Sequence, residues 1–188
     1  MKRIAIFASG SGSNAENIIT YFQNNKKAEV VLVLSNNPNA LVLERAKKLG
    51  VQSLVFNKHQ LNDSNWAVEN LKNLDLIVLA GFLWKFPEHL LENYENKVVN
   101  VHPALLPKYG GKGMYGMYVH EAVVENRETE SGITIHYVNE HYDEGAIIFQ
   151  AKCTITAKDT PSDVAAKIHE LEMRYFPEIV QQILCKNG

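Results

Sequence analysis

Ile4-Ala5-Ile6-Phe7-Ala8-Ser9-Gly10-Ser11-Gly12-Ser13-Asn14 decides how this chain of 188 residues is read. Five apolar residues bounded by turn formers predict a short strand buried on both faces. Asn14 to Phe22 carries Ile18, Ile19 and Phe22 at helical spacing. A strand, a glycine-rich turn and a helix open an α/β unit, and that turn is where an open α/β sheet binds phosphate. Glycines let the backbone approach an anion, and the helix start offers free N–H groups. Ser13 and Asn14 can add side-chain donors. A plain βα turn with an N-cap fits the same letters. The dinucleotide fingerprint is matched only in part. Gly10 and Gly12 fit its first two glycines, but Ala15 stands third, and the second strand ends in Ser35-Asn36-Asn37 without the acidic residue that binds a ribose hydroxyl.

Outward from that turn, strand-like and helix-like stretches alternate. Strands are predicted over Val30–Leu34, Val51–Phe56, Leu74–Ala80 and Val98–Val101. Helices are predicted over Leu41–Leu49, with Gly50 at the end, over Trp66–Leu71, and as a helix or turn over Phe86–Tyr94. This rhythm predicts a single-domain, Rossmann-like, open and mostly parallel twisted sheet with helices on both faces. Gly110 to Tyr118 interrupts it with four glycines and reads as a mobile loop. After it come a short helix, His120–Glu125, and two late strands, Thr134–Val138 and Ala146–Ile155, expected to be antiparallel. Thr160-Pro161-Ser162-Asp163 starts a last helix that runs towards Leu184, with a kink expected at Pro177.

Asn100 and His102 lie two residues apart on a predicted strand, so both point to one face, with Val99 and Val101 to the other. Pro103 holds His102 extended. Polar side chains at the carboxyl end of a buried strand occupy the ligand edge of this fold. An amide N–H can stabilise an oxyanion and an imidazole can move protons near neutral pH, so the pair suits acyl transfer. The same pair could simply bond the next loop. Asp143, in His141-Tyr142-Asp143-Glu144-Gly145, is a candidate third member or a turn residue. His136 faces away from Ile133 and Ile135, where it could line or cap the cleft.

Composition narrows the function. Hydrophobic residues make up 46% of the chain and the net charge is −2, without the basic surplus of a nucleic-acid binder. Cys153 and Cys185 make no disulfide framework, no apolar run reaches membrane-span length, and Met1-Lys2-Arg3 enters the first strand directly. A cytoplasmic location is therefore expected. No helical His-x-x-x-His pair or cysteine cluster points to a metal.

Several motifs occur in order: Ser9-Gly10-Ser11-Gly12-Ser13-Asn14, Leu79-Ala80-Gly81-Phe82, Asn100-Val101-His102-Pro103-Ala104-Leu105-Leu106-Pro107, Gly132-Ile133-Thr134-Ile135-His136 and Asp143-Glu144-Gly145. From Arg3 to about Leu184 the chain resembles the folate-dependent formyltransferases of the phosphoribosylglycinamide type. The resemblance implies formyl transfer from 10-formyltetrahydrofolate, as co-substrate, to the amine of phosphoribosylglycinamide in purine synthesis. It implies a catalytic trio of Asn100, His102 and Asp143. Gly12, Ser13 and Asn14 would hold the ribonucleotide phosphate, and Glu172 would contact the glycinamide. Leu83, Trp84, Lys85 and Phe86, with His136 and Glu140, would wall the folate pocket. The phosphate site would lie in residues 1–100 and the folate and catalytic part in residues 101–188. The partners implied are small molecules, with no nucleic acid, membrane or metal, and the chain would act as a monomer or weak homodimer.

Two stretches depart from the family. Trp84 stands where many members carry arginine, so a guanidinium contact to the folate is lost and an indole could stack instead. Gly110-Gly111-Lys112-Gly113-Met114-Tyr115-Gly116 replaces a shorter loop and could act as a lid. Related activities carry added domains in their families: a C-terminal one in methionyl-tRNA formyltransferase and an N-terminal one in formyltetrahydrofolate hydrolase. Neither is expected here. A non-catalytic phosphosugar-binding module would explain the first loop but not the trio.

Overall fold

The structure, a computed structural model, describes residues 1–186. Its first strand, β1 (Lys2–Phe7), is buried on both faces: Ile4 and Ile6 enter one apolar cluster, Ala5 and Phe7 the other. The chain continues through α1 (Ser13–Asn25), β2 (Ala28–Ser35), α2 (Leu41–Lys48), β3 (Gln52–Val55), α3 (Lys58–Leu61), α4 (Ser64–Asn70) and β4 (Leu76–Leu79). It then forms α5 (Glu88–Asn93), β5 (Val98–His102), α6 (Met117–Glu125), β6 (Glu130–Tyr137), β7 (Ile147–Thr154) and α7 (Pro161–Lys186).

The strands form one seven-stranded sheet in the order β3-β2-β1-β4-β5-β6-β7. The first five run parallel, and β6 and β7 antiparallel, as the sequence predicts. Helices α1, α2, α6 and α7 bury Ile18, Phe22, Val42, Val123, Phe176 and Val180 against one face. Helices α3, α4 and α5 bury Leu61, Ala67 and Leu90 against the other. Each fully buried large aliphatic or phenyl side chain is worth about 1.5–3 kcal/mol relative to exposure.

Adjacent β1 and β4 lead their chains in opposite directions across the sheet, so a crevice opens at their carboxyl ends. Ser9 ties its walls together. Its N–H donates to Gly81 O (3.0 Å), and its hydroxyl donates to Asn36 Oδ1 (2.6 Å) and accepts from Leu83 N–H (3.0 Å).

The elements differ from the sequence reading in three places. β6 starts at Glu130 rather than Thr134, because Gly132 sits inside the strand where a Cβ would strike the Ala151 carbonyl and Leu105. α6 starts at Met117 rather than His120, so the glycine-rich segment is shorter than predicted. The short α3 is new, held by a reciprocal capping box between Asn57 and Gln60.

The last helix, α7, runs on through Pro177 past Leu184, as the sequence predicts. A proline cannot donate to the carbonyl four residues back. That carbonyl, of Met173, instead accepts from Asn17 Nδ2 of α1 (2.7 Å). Further along the seam, Gln181 Oε1 accepts from Asn25 Nδ2 (3.0 Å) and the Tyr21 hydroxyl (3.2 Å). Asn17→Ala leaves the Met173 carbonyl unpaired and is expected to cost about 1–2 kcal/mol, lowering Tm by roughly 2–8 °C. In a Pro177→Ala background, where a backbone N–H is restored, the same change should cost clearly less. Strict additivity in this double-mutant cycle, read by thermal or denaturant unfolding, would count against the account.

Candidate active site

The crevice opens into a cavity of about 750 Å³, bordered by the β1–α1 loop, the ends of β4 and β5, the segment before α6, Asp143 and α7. At its glycine-loop end, Gly12 caps α1 with φ +75°, and a Cβ there would collide with Val42. The loop's carbonyls are tied to α2. Gly10 O accepts from Val42 N–H (3.2 Å), and Ser11 O accepts from Arg45 Nε (2.9 Å), whose guanidinium also pairs with Glu16. No side chain caps α1, so its first N–H groups remain free to meet an anion.

Ser13 and Asn14 both border the cavity, but the Asn14 amide is turned to Glu172. Its Nδ2 donates to Glu172 Oε2 (2.9 Å), and its buried Oδ1 has no partner. Glu172 on α7 is therefore brought to the loop, with its side chain only 14% exposed. Burial pushes its carboxyl up, against the opposing pull of the Asn14 N–H and His169.

At the other end, Asn100 and His102 share a face of β5, while Val99 and Val101 lie in the core, as alternation predicts. Antiparallel pairing sets His136 of β6 opposite Asn100, and Thr134 opposite His102. His136 Nδ1 lies 2.8 Å from Tyr137 O, so that nitrogen must carry the hydrogen. His136 Nε2 is then an acceptor and takes an N–H from Asn100 Nδ2 (3.1 Å). This fixes which way the Asn100 amide faces. His136 thus orients Asn100, besides bordering a small void beside Trp84 and Tyr142.

His102 is 3% exposed. Its Nε2 donates to Tyr109 O (2.7 Å), and its Nδ1 lies 3.5 Å from Asp143 Oδ2. Burial and the neighbouring His136 pull the imidazole below its ordinary pKa, against Asp143 and the Tyr109 carbonyl, so it is neutral at rest with Nδ1 bare towards the carboxylate. Asp143 has φ +58°, and its Oδ2 accepts from Gly111 N–H (3.0 Å). Burial raises the Asp143 carboxyl, but His136, His102 and the Gly111 N–H together hold it below the usual carboxylate range. Thr134 pins the segment after His102: its Oγ1 accepts from Leu106 N–H (3.0 Å) and donates to Ala104 O (2.7 Å).

The predicted folate wall is brought together in part. Leu83 and Trp84 border the groove beside the cavity, and Tyr142 bridges groove and cavity. Lys85 lies on the exposed rim, paired with Glu88 (3.2 Å). Trp84 is half-buried edge-on against Phe56 (6.1 Å), so part of its indole is committed to packing rather than free to stack. Phe86 is core, in T-shaped contact with Phe7 (5.3 Å). Glu140 borders neither the groove nor the cavity. It is exposed, beside His141 at 3.6 Å, because the β6–β7 connection turns its side chain to solvent. Sequence reading missed His120, buried against the cavity with an unpartnered Nδ1, and His169. Helical spacing gave the only hint: His169 and Glu172 are three apart on α7.

This geometry can be set beside known proteins. A formyl transferase family model matches residues 2–180. The chain belongs to the formyl transferase family. Bacillus subtilis phosphoribosylglycinamide formyltransferase is 35% identical, with all of this chain and 97% of that protein covered. The chloroplastic phosphoribosylglycinamide formyltransferase of Arabidopsis thaliana is 37% identical; 97% of this chain is covered, and it spans 65% of that protein's length. The crystal structure of phosphoribosylglycinamide formyltransferase from Bacillus halodurans superposes with a TM-score of 0.87 at 34% identity, covering all of this chain and 97% of that one. Among the described residues of this family member, no group of three or more His, Cys, Asp or Glu is placed to hold a metal, and no helix is long and apolar enough to cross a membrane.

The buried Glu172 gives a pH test. Its folded carboxyl keeps a proton to higher pH than an unfolded one, whose pKa is near 4.5. Ionisation therefore costs stability above that pH, and the cost disappears as pH falls. Glu172→Gln is expected to raise the Tm of the free protein by a few degrees at pH 7 and to lose that advantage by pH 4. A gain that is flat across this range, or absent at pH 7, would contradict the assignment.

Proposed function

We propose that the chain transfers a formyl group from 10-formyltetrahydrofolate to the amine of 5'-phosphoribosylglycinamide, giving N-formylglycinamide ribonucleotide and tetrahydrofolate in de novo purine synthesis. The observation that carries this reading is one cavity joining the α1 phosphate loop and Glu172 to the Asn100, His102 and Asp143 cluster. The family match and the names of the full-length relatives support it. On this reading residues 1–100 supply the phosphate site and residues 101–188 most of the donor and catalytic side.

The substrate phosphate sits on the free N–H groups of α1 at Gly12, Ser13 and Asn14. The Glu172 carboxylate meets the glycinamide end, and a polar substrate there relieves the cost of its burial. The donor ring lies in the groove at Leu83 and Trp84, with Tyr142 between the two ligands. The amine attacks the formyl carbon, forming the new C–N bond and an oxyanion. The Asn100 amide, held by His136, keeps one N–H for that oxygen. His102 spends its Nε2–H on Tyr109, so its part is a positive charge, gained when Nδ1 accepts a proton beside Asp143. The amine loses that proton, directly to Asp143 or through a water to His102. It is returned to the donor nitrogen as the formyl carbon–nitrogen bond breaks. The protein acts in the cytoplasm as a monomer or weak homodimer, with no metal.

Absorbance of the folate product, followed with and without the ribonucleotide, tests the reaction. Turnover that needs the ribonucleotide is expected, whereas ribonucleotide-independent loss of formyl would make the chain a hydrolase. Asn100→Ala and Asp143→Asn should each lower kcat by about a hundredfold or more. Their ribonucleotide affinity, measured by calorimetry, should stay within a few fold of the parent. Near-parent turnover in either variant removes that residue from the mechanism.

A further inference from the structure

The phosphate end of the cavity is short of positive charge. The carboxylates bordering the cavity are Asp143 and Glu172, and the one Lys or Arg among the described residues bordering it is Lys112. A phosphate monoester carries close to two negative charges at neutral pH, and a helix N-terminus offers about half a positive one. Arg45 lies beside the loop but is committed to Ser11 O and Glu16, and it does not border the cavity. Lys112, by contrast, is exposed and pairs with no carboxylate among the described residues.

The backbone presents this lysine deliberately. Gly111 to Met114 forms a turn closed by Met114 N–H to Gly111 O (3.1 Å), with Gly113 at φ +90° in the position that requires glycine. Lys112 occupies its tip. The turn is tethered at its base, where Gly111 N–H donates to Asp143 Oδ2 (3.0 Å). A flexible four-carbon stem on a tethered turn can carry an ammonium across a cavity of this size.

We infer that Lys112 is a specificity residue of the ribonucleotide site, its ammonium pairing with the substrate phosphate from a turn anchored on Asp143. This rests on the function proposed above for its substrate, but the phosphate contact can be tested without the reaction. Lys112 selects the phosphorylated sugar over the free nucleoside, which the helix terminus alone does only weakly.

The test compares parent, Lys112→Met and Lys112→Arg by two readouts. One is the ratio of kcat/KM for glycinamide ribonucleotide to that for the dephosphorylated ribonucleoside. The other is calorimetric affinity for ribose 5-phosphate. Lys112→Met should lower the ratio at least tenfold and weaken ribose 5-phosphate binding by a similar factor, and Lys112→Arg should restore part of both. An equal loss on both substrates, or no loss, overturns the inference. If the parent shows no formyl transfer, the proposed function fails and the titration alone decides: weaker binding by Lys112→Met sustains the phosphate contact, while equal or absent binding overturns it. Thermal unfolding of each variant confirms that the exposed turn has been changed without loss of the fold.

Discussion

Asp143 carries a carboxylate charge into a pocket where it is only 12% exposed, with imidazole nitrogens at 3.5 and 3.6 Å. A buried charge of this kind is costly unless donors and positive charge surround it. The Gly111 N–H donates to it directly, the two imidazole nitrogens stand beside it where a proton can be taken up, and each of the three comes from a different stretch of chain. Satisfying one carboxylate therefore fixes the end of β5, the face of β6 and the base of the turn before α6. It also holds Asp143 in a left-handed conformation, which aspartate tolerates better than most side chains.

The antiparallel edge of the sheet makes this arrangement possible. A parallel strand beside β5 would have demanded a long crossover and could not have been followed by a short return. Because β6 runs antiparallel, His136 falls opposite Asn100, and the chain comes back through Asp143 a few residues later. Asn100, His102, His136 and Asp143 are thus collected where the parallel part of the sheet ends, next to the crevice that the β1 and β4 crossovers create. The loop before α1 comes from the parallel half and Asp143 from the antiparallel half, and both border one cavity.

Much of this is legible in the letters, and the failures have physical reasons. Period-two alternation placed Asn100 and His102 on one face because strand geometry leaves no other choice. The glycine loop was readable because positive φ and close approach to Val42 admit little else at Gly12. The start of β6 was misread because glycine lowers strand propensity, whereas Gly132 is required by the closeness of Ala151. What sustains α7 at Pro177 is not legible, because the partner of the Met173 carbonyl is Asn17, distant in sequence. Glu140 faces solvent, and Phe86 is shared between the core and the groove, for a common reason: proximity in sequence to a wall residue does not say which way a side chain turns. The resemblance carried Glu172 to the site; no periodicity could have, since its partner Asn14 lies at the far end of the chain.

The seam between α1 and α7 has a further consequence. Asn17, Tyr21 and Asn25 clamp α7 along about two turns, and Asn14 continues the same line into the cavity through Glu172. The glycine loop begins α1 and the Glu172 carboxylate rides on α7, so two rods joined side by side set their spacing. The protein thereby holds a ruler. On the function proposed, a ligand is measured from its anion to its amine, and one whose ends are too close or too far apart cannot satisfy both marks, whatever its individual groups.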